Sequence, residues 1–226
     1  YFQNLLNNRF ETSVEVYYKT MNNLVEFAEG ELPDDNINDN VDNGFVFGSG
    51  LSYGLEFFLK KRLGDFTGWF GYTWSKTTRT FKDINLGKTF VAKYDRRHDL
   101  SVVLNYELNK KWNISGVFVF ATGNSLTIPE SMMIVADDLI QVYGPRNGFR
   151  MPSYHRADIS LTYINKETEK YKSSWNFSVY NVYNRMNPYF IYFNEEGGTE
   201  TQDVNFTAKQ VSLFPVLPSV TWNFSF

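Results

Sequence analysis

The densest chemistry in the chain is the run Asp95-Arg96-Arg97-His98-Asp99. Arginine makes forked bonds to carboxylates, so Arg96 and Arg97 could hold an anionic group of a ligand. The same side chains equally make a salt-bridged rim where a loop meets a wall. We prefer that reading, because exposed ion pairs are weak pointers to function. His98 and His155 are the only histidines. A metal would need a third ligand from elsewhere, and no His-x-x-x-His spacing is present, so no metal is expected. Ser101 follows His98 and Ser153 precedes His155. A hydrolase needs such a nucleophile beside its base, yet nothing like a nucleophile elbow surrounds either serine. Neither an enzyme nor a cofactor is expected.

Two further patterns offer chemistry and have plainer explanations. Glu26 to Gly44 carries seven acids and no base. Carboxylates bind Ca²⁺, but the spaced Asp/Asn ligands, fixed Gly and terminal Glu of an EF-hand loop are missing, so a solvated loop is expected. Asn113, Asn176, Asn205 and Asn223 each open an N-x-S/T triplet. Three fall where polar residues alternate along strands, so they reflect that alternation rather than glycosylation.

The elements that must position these groups are strands. In Ser219 to Phe226 every even residue is apolar (Val220, Trp222, Phe224, Phe226) and every odd one polar. A period of two is a β-strand with one greasy and one wet face. The same alternation recurs at Phe10–Tyr18, Leu51–Leu59, Phe66–Trp74, Leu100–Glu107, Trp112–Phe120, Ala157–Tyr163 and Trp175–Tyr183, giving about eight strands. Their connections alternate short and long. The long ones are expected over Glu26–Gly44, Lys76–Lys93, Thr122–Pro152 and Arg185–Gln210. Within the last, Tyr189 to Phe193 reads as a strand extension. Val211 onward reads as the closing strand, interrupted by Pro215 and Pro218. A sandwich gives no reason for alternating loop lengths, whereas an outer-membrane barrel does. Trp112, Trp175 and Trp222 fall near the short-turn end, as an interfacial belt requires.

Composition agrees. Aromatics make up 18% of the chain, with 21 Phe and 15 Tyr. Yet mean hydropathy is −0.38, and no run approaches the roughly 20 apolar residues of a spanning helix. Many aromatics without a greasy segment suit a barrel wall, where half the residues face water. Net charge is −3, which gives no basic field for nucleic acid. There is no cysteine, hence no disulfide or thiol chemistry. The start, Tyr1-Phe2-Gln3, reads as the tail of a strand, so the chain is expected to begin in mid-fold.

Four stretches resemble the C-terminal barrel of SusC/RagA-type TonB-dependent outer-membrane transporters of Bacteroidetes. They are Tyr94-Asp95-Arg96-Arg97-His98-Asp99-Leu100; Met151-Pro152-Ser153-Tyr154-His155-Arg156; Asn176 through Arg185 with Asn187-Pro188-Tyr189; and Leu213 through Trp222. The resemblance implies an all-β, antiparallel transmembrane barrel, of which residues 1–226 hold about the last eight of about 22 strands. The plug domain and earlier strands would lie outside the chain. It further implies active import of glycan fragments or peptides across the cell outer membrane. The implied partners are membrane lipid, a SusD-like lipoprotein lid, TonB acting through the missing plug, and the barrel-assembly machinery. Trp222, Phe224 and Phe226 are then candidates for the assembly signal. Asp95, Arg96, Arg97 and Asn181 are candidate substrate or rim contacts. Inward residues such as Asn105, Asn176, Tyr180 and Asn223 could contact a sugar or simply keep the interior wet. The alternative is a stand-alone eight-stranded barrel with a structural or adhesive role, since eight strands suffice to close one.

Overall fold

The computed structural model describes residues 1–28, 44–135, 138–168, 170–196 and 205–226. In chain order the strands are β1 (Phe2–Leu5), β2 (Phe10–Phe27), β3 (Phe45–Lys61), β4 (Phe66–Phe81), β5 (Phe90–Val91), β6 (His98–Asn109), β7 (Trp112–Ala121) and β8 (Ser125–Leu126). They continue with β9 (Pro129–Val135), β10 (Asp138–Tyr143), β11 (Phe149–Arg150), β12 (Tyr154–Glu167), β13 (Lys172–Tyr180), β14 (Pro188–Glu196), β15 (Asn205–Ser212) and β16 (Leu217–Ser225). One antiparallel sheet runs β1-β2-β3-β4-β6-β7-β12-β13-β16, with β5 paired to β4 beyond the end of β6. Sheet order follows sequence order, as hairpin connections dictate. Among the described residues β1 pairs only with β2 and β16 only with β13, so the sheet ends on two unpaired edges.

Register carries one apolar face across the wall. Val14 lies opposite Phe57, Phe57 opposite Tyr72, and Tyr72 opposite Leu100. Leu100 then pairs with Phe120; farther on, Ile114 pairs with Leu161, Leu161 with Phe177, and Phe177 with Val220. A slip of one residue in any pairing would turn that strand's apolar set to the opposite side, so the pattern fixes the register. The other face is mostly polar, with rows such as Ser160-Ser178-Ser219 and Thr162-Asn176-Thr221. Phe58, Trp69, Val103 and Val117 are scattered through it.

Among the described residues no protein layer covers the apolar face. Trp222 is 49% exposed and Phe224 54% exposed. The core cluster of buried residues is Phe81, Ile84 and Phe90, packed by Leu24 and Val46, and it lies at the long-loop end rather than between layers. Gly48 is needed there, since a Cβ would come within 2.5 Å of the Phe81 ring. A water-soluble domain of this size would bury far more apolar area. No helix among the described residues is long and apolar enough to cross a membrane.

Two girdles bound the apolar face. An aromatic or imidazole ring recurs at an interval of eight residues in Phe10/Tyr18, Phe66/Trp74, Tyr106/His98, Trp112/Phe120, Tyr163/His155 and Trp175/Tyr183. The short-turn girdle is knit by Trp112 against Tyr163 at 4.7 Å and Trp175 stacked on Trp222 at 6.0 Å between ring centroids.

The connections differ from the sequence reading in four places. Lys76 to Phe81 is not loop but the upper part of β4, paired with β3 from Gly48 to Tyr53. Its mix of threonines, Lys76 and Arg79 suits a strand standing in water as well as a loop. Glu26 and Phe27 likewise extend β2, pairing with Val46 and Phe45; residues 29–43 of the acidic stretch lie outside the described residues. The third excursion contains paired strands, β9 with β10 and β8 with β11. The closing strand starts at Leu217, because Val211 and Ser212 pair instead with β14. Tyr189 to Phe193 does form a strand, β14, as expected.

Candidate functional site: the long-loop lip of the wall

Four strand ends and the loops above them meet at the long-loop end, and the buried polar groups there show what holds the lip. Asp95 is 1% exposed. Its Oδ1 accepts the Thr77 backbone N–H at 2.6 Å, and its Oδ2 accepts Arg150 Nη2 at 2.7 Å and Arg97 Nη2 at 3.2 Å. Arg150 also donates through Nη1 to the carbonyls of Asp95 and Gly123. A carboxylate with three donors is satisfied, and buried this far it is closed to an incoming ligand. Asp95 therefore ties β4, the second long loop and the third together. The Arg96 guanidinium is open to water and lies 3.7 Å from Asp99, while its carbonyl accepts the Ser75 hydroxyl.

Asn181 organises the neighbouring corner and is completely buried. Its N–H donates to Asp158 Oδ1 at 2.8 Å, its Nδ2 to the carbonyls of Arg185 and Phe214, and its Oδ1 accepts the Arg185 N–H. Asparagine suits the place because it tolerates the left-handed backbone found here, φ 53°, and offers both donor and acceptor. Asn187 repeats the trick, bracketing the backbone N–H and carbonyl of His155. Asn184 Oδ1 accepts the Val216 N–H, which fixes the approach to β16.

The two histidines occupy equivalent positions on the apolar face. His98 Nδ1 lies 2.8 Å from the Tyr72 hydroxyl, and His155 Nδ1 lies 2.9 Å from that of Tyr183. His155 also stacks on Phe120. Each imidazole thus belongs to the long-loop girdle. Ser101, in the row Gly71-Ser101-Val119, is on the opposite face from His98, so the two cannot act as nucleophile and base.

Arg156, Tyr154 and Tyr180 form a cluster on the polar face that the sequence reading did not assemble. Arg156 Nε bonds Asp158 at 3.0 Å, while Nη1 bonds the hydroxyls of Tyr154 and Tyr180 at 3.0 and 2.6 Å. Its guanidinium also lies over the Tyr180 ring, 4.1 Å from the centroid. The clue was present in the spacing: Tyr154, Arg156 and Asp158 are two apart, hence on one face of a strand. Arg150, the main partner of Asp95, carried no comparable clue, because their contact spans 55 residues. Lower on the polar face, Asn105 accepts from Ser115 and Asn176 donates to Thr162, so both are engaged by the wall itself.

Against known proteins, a family model described as TonB dependent receptor-like, beta-barrel, matches residues 2–184. No curated protein matches the chain. The matched span contains eight of the nine strands of the main sheet path, and it stops at the corner built by Asn181 and Asn184.

Proposed function

The chain belongs to the TonB-dependent receptor β-barrel family, and from that premise we propose that it forms wall and extracellular loops of a SusC/RagA-type importer of glycan fragments or peptides. The family places the chain in the outer membrane, and it is a family of transporters rather than of enzymes. The observation that carries the reading is the apolar face carried from β2 across to β16, bounded by rings at both ends and covered by no protein layer among the described residues. Lipid is the solvent that such a face requires, and a closed barrel is the only form in which strands cross a bilayer.

In this reading residues 1–226 are the C-terminal part of the barrel, and the two unpaired edges, β1 and β16, meet strands that lie outside it. That arrangement favours the large importer over an eight-stranded barrel closed on itself, because β1 and β16 do not pair with one another. The Asp95 and Asn181 networks act as rim staples, holding the long loops in the shape that a substrate and a SusD-like lid would meet. Trp222, Phe224 and Phe226 form the strand signal read by the assembly machinery; the exposed, stacked rings of Phe224 and Phe226 support this role. TonB would drive passage by acting on the plug.

Deleting the gene and following uptake of labelled oligosaccharides and peptides, with TonB intact and with TonB inactivated, tests the proposal. Uptake of one of these classes should be lost in both backgrounds. Unchanged uptake in the deletion strain removes the importer reading.

A further inference from the structure

Phe214 is a bulky aromatic residue with φ 54°, in the left-handed region that such residues seldom enter. Two hydrogen bonds from a strained corner hold it there. Asn181 Nδ2 donates to its carbonyl at 3.3 Å, Asn184 Oδ1 takes the Val216 N–H at 3.0 Å, and Asn181 and Asn184 are themselves left-handed at φ 53°. Strain that the surroundings over-determine is a mark of functional positions. What it achieves here is visible: the Phe214 ring is 58% exposed and stands edge-on to Tyr180, with centroids 6.3 Å apart.

Tyr180 links this ring to the guanidinium below it. Arg156 is fixed by Asp158, Tyr154 and Tyr180 through Nε and Nη1. Those bonds leave its Nη2 hydrogens, and at least one phenol hydrogen of the two tyrosines, without an acceptor among the described residues. That free edge of the guanidinium faces water, and a carboxylate or sulfate is the acceptor whose fork fits it. The wall below is lined by hydroxyls and amides, in the rows Ser160-Ser178-Ser219 and Thr162-Asn176-Thr221.

We propose that Phe214, Tyr180 and Arg156 bind an acidic oligosaccharide, the C–H face of one sugar on the Phe214 ring and its carboxylate or sulfate on Arg156. The site rests on the import reading above and names the substrate class for it. An exposed ring and a preorganised cation on either side of Tyr180 suit a charged sugar, because stacking orients the ring and the fork fixes the anion. Asp158, already holding Arg156 and the Asn181 N–H, stays a positioning residue and makes no contact with the ligand.

The test uses the full-length protein in detergent and calorimetric titration with uronic-acid and sulfated oligosaccharides, their neutral counterparts and short peptides. The acidic glycans should bind, and Arg156→Lys and Phe214→Gly should each weaken them about tenfold. Glycine accepts the left-handed backbone, so Phe214→Gly removes the ring without disturbing the corner, and heat-modifiable gel mobility checks that both variants fold. Unchanged affinity for the acidic glycans in both folded variants overturns the site while leaving import intact. Binding of neutral glycans or peptides alone overturns the acidic assignment. Binding of none of the three overturns the site, and the uptake assay on the deletion strain then decides the import reading separately.

Discussion

Arg150 reaches Asp95 across the lip, Nη2 to Oδ2 at 2.7 Å, and joins two long loops that are 55 residues apart in the chain. The acid is sealed from water while the guanidinium is 31% exposed. Asp95→Asn would leave Arg150 and Arg97 facing each other without a counter-charge. Breaking one side of a fully buried pair costs about 3–5 kcal/mol, and the partial exposure of both arginines reduces this to about 2 kcal/mol. Protease nicking of the loops after strands β4 and β7 in intact cells should accelerate, with barrel content unchanged.

Asn181→Ala removes three hydrogen bonds made by a fully buried side chain. It also places alanine at φ 53°, where it is strained. We expect a loss of about 3 kcal/mol. Asn181→Gly, which accepts the backbone angle, should recover about 1 kcal/mol of that. Denaturant unfolding of the refolded barrel in detergent reads both. Equal losses would mean that backbone strain contributes nothing at this corner.

The two faces of one strand should respond oppositely to charge. Phe177→Arg puts a cation on the apolar face near mid-strand and should destabilise by about 2–4 kcal/mol. Ser178→Arg, one residue on, faces the polar side and should cost less than about 1 kcal/mol. Urea titration of vesicle-inserted protein measures the difference. Similar costs would contradict the assignment of lipid to the Phe177 side.

Removing Phe226 should slow membrane insertion of the full-length protein severalfold without altering the stability of barrel that has already inserted. The ring is 95% exposed and, among the described residues, stacks on Phe224 alone, so little in the folded wall depends on it. Pulse-chase fractionation follows the insertion rate. An unchanged rate would withdraw the role given to the terminal aromatic residues.

Strand identity was legible because a wall between lipid and water imposes a strict period of two, and eight strands announce themselves that way. Ends were less legible. Above the membrane the period loses its contrast, so Lys76 to Phe81 looks like polar loop although it pairs residue for residue with β3. Proline misled at the other end: Pro215 and Pro218 suggested one interrupted strand, whereas Val211 and Ser212 pair with a separate hairpin. The lip was half legible. Asp95 and Asn181 stand out as residues, but their partners Arg150, Thr77 and Phe214 come from distant segments, and no local spacing encodes that convergence.

The eight-residue interval between the rings has a consequence for where this protein can live. At about 3.3 Å per residue and a tilt of 35–45°, it spans about 20 Å along the bilayer normal. An inner membrane, with a hydrocarbon layer of about 30 Å, would exceed that height by about 10 Å. Each ångström of hydrophobic mismatch carries a fractional kcal/mol penalty, and here it recurs around the whole perimeter. The ring spacing therefore works as a thickness gauge, one that rejects the first bilayer a secreted chain meets and accepts the thinner one beyond it.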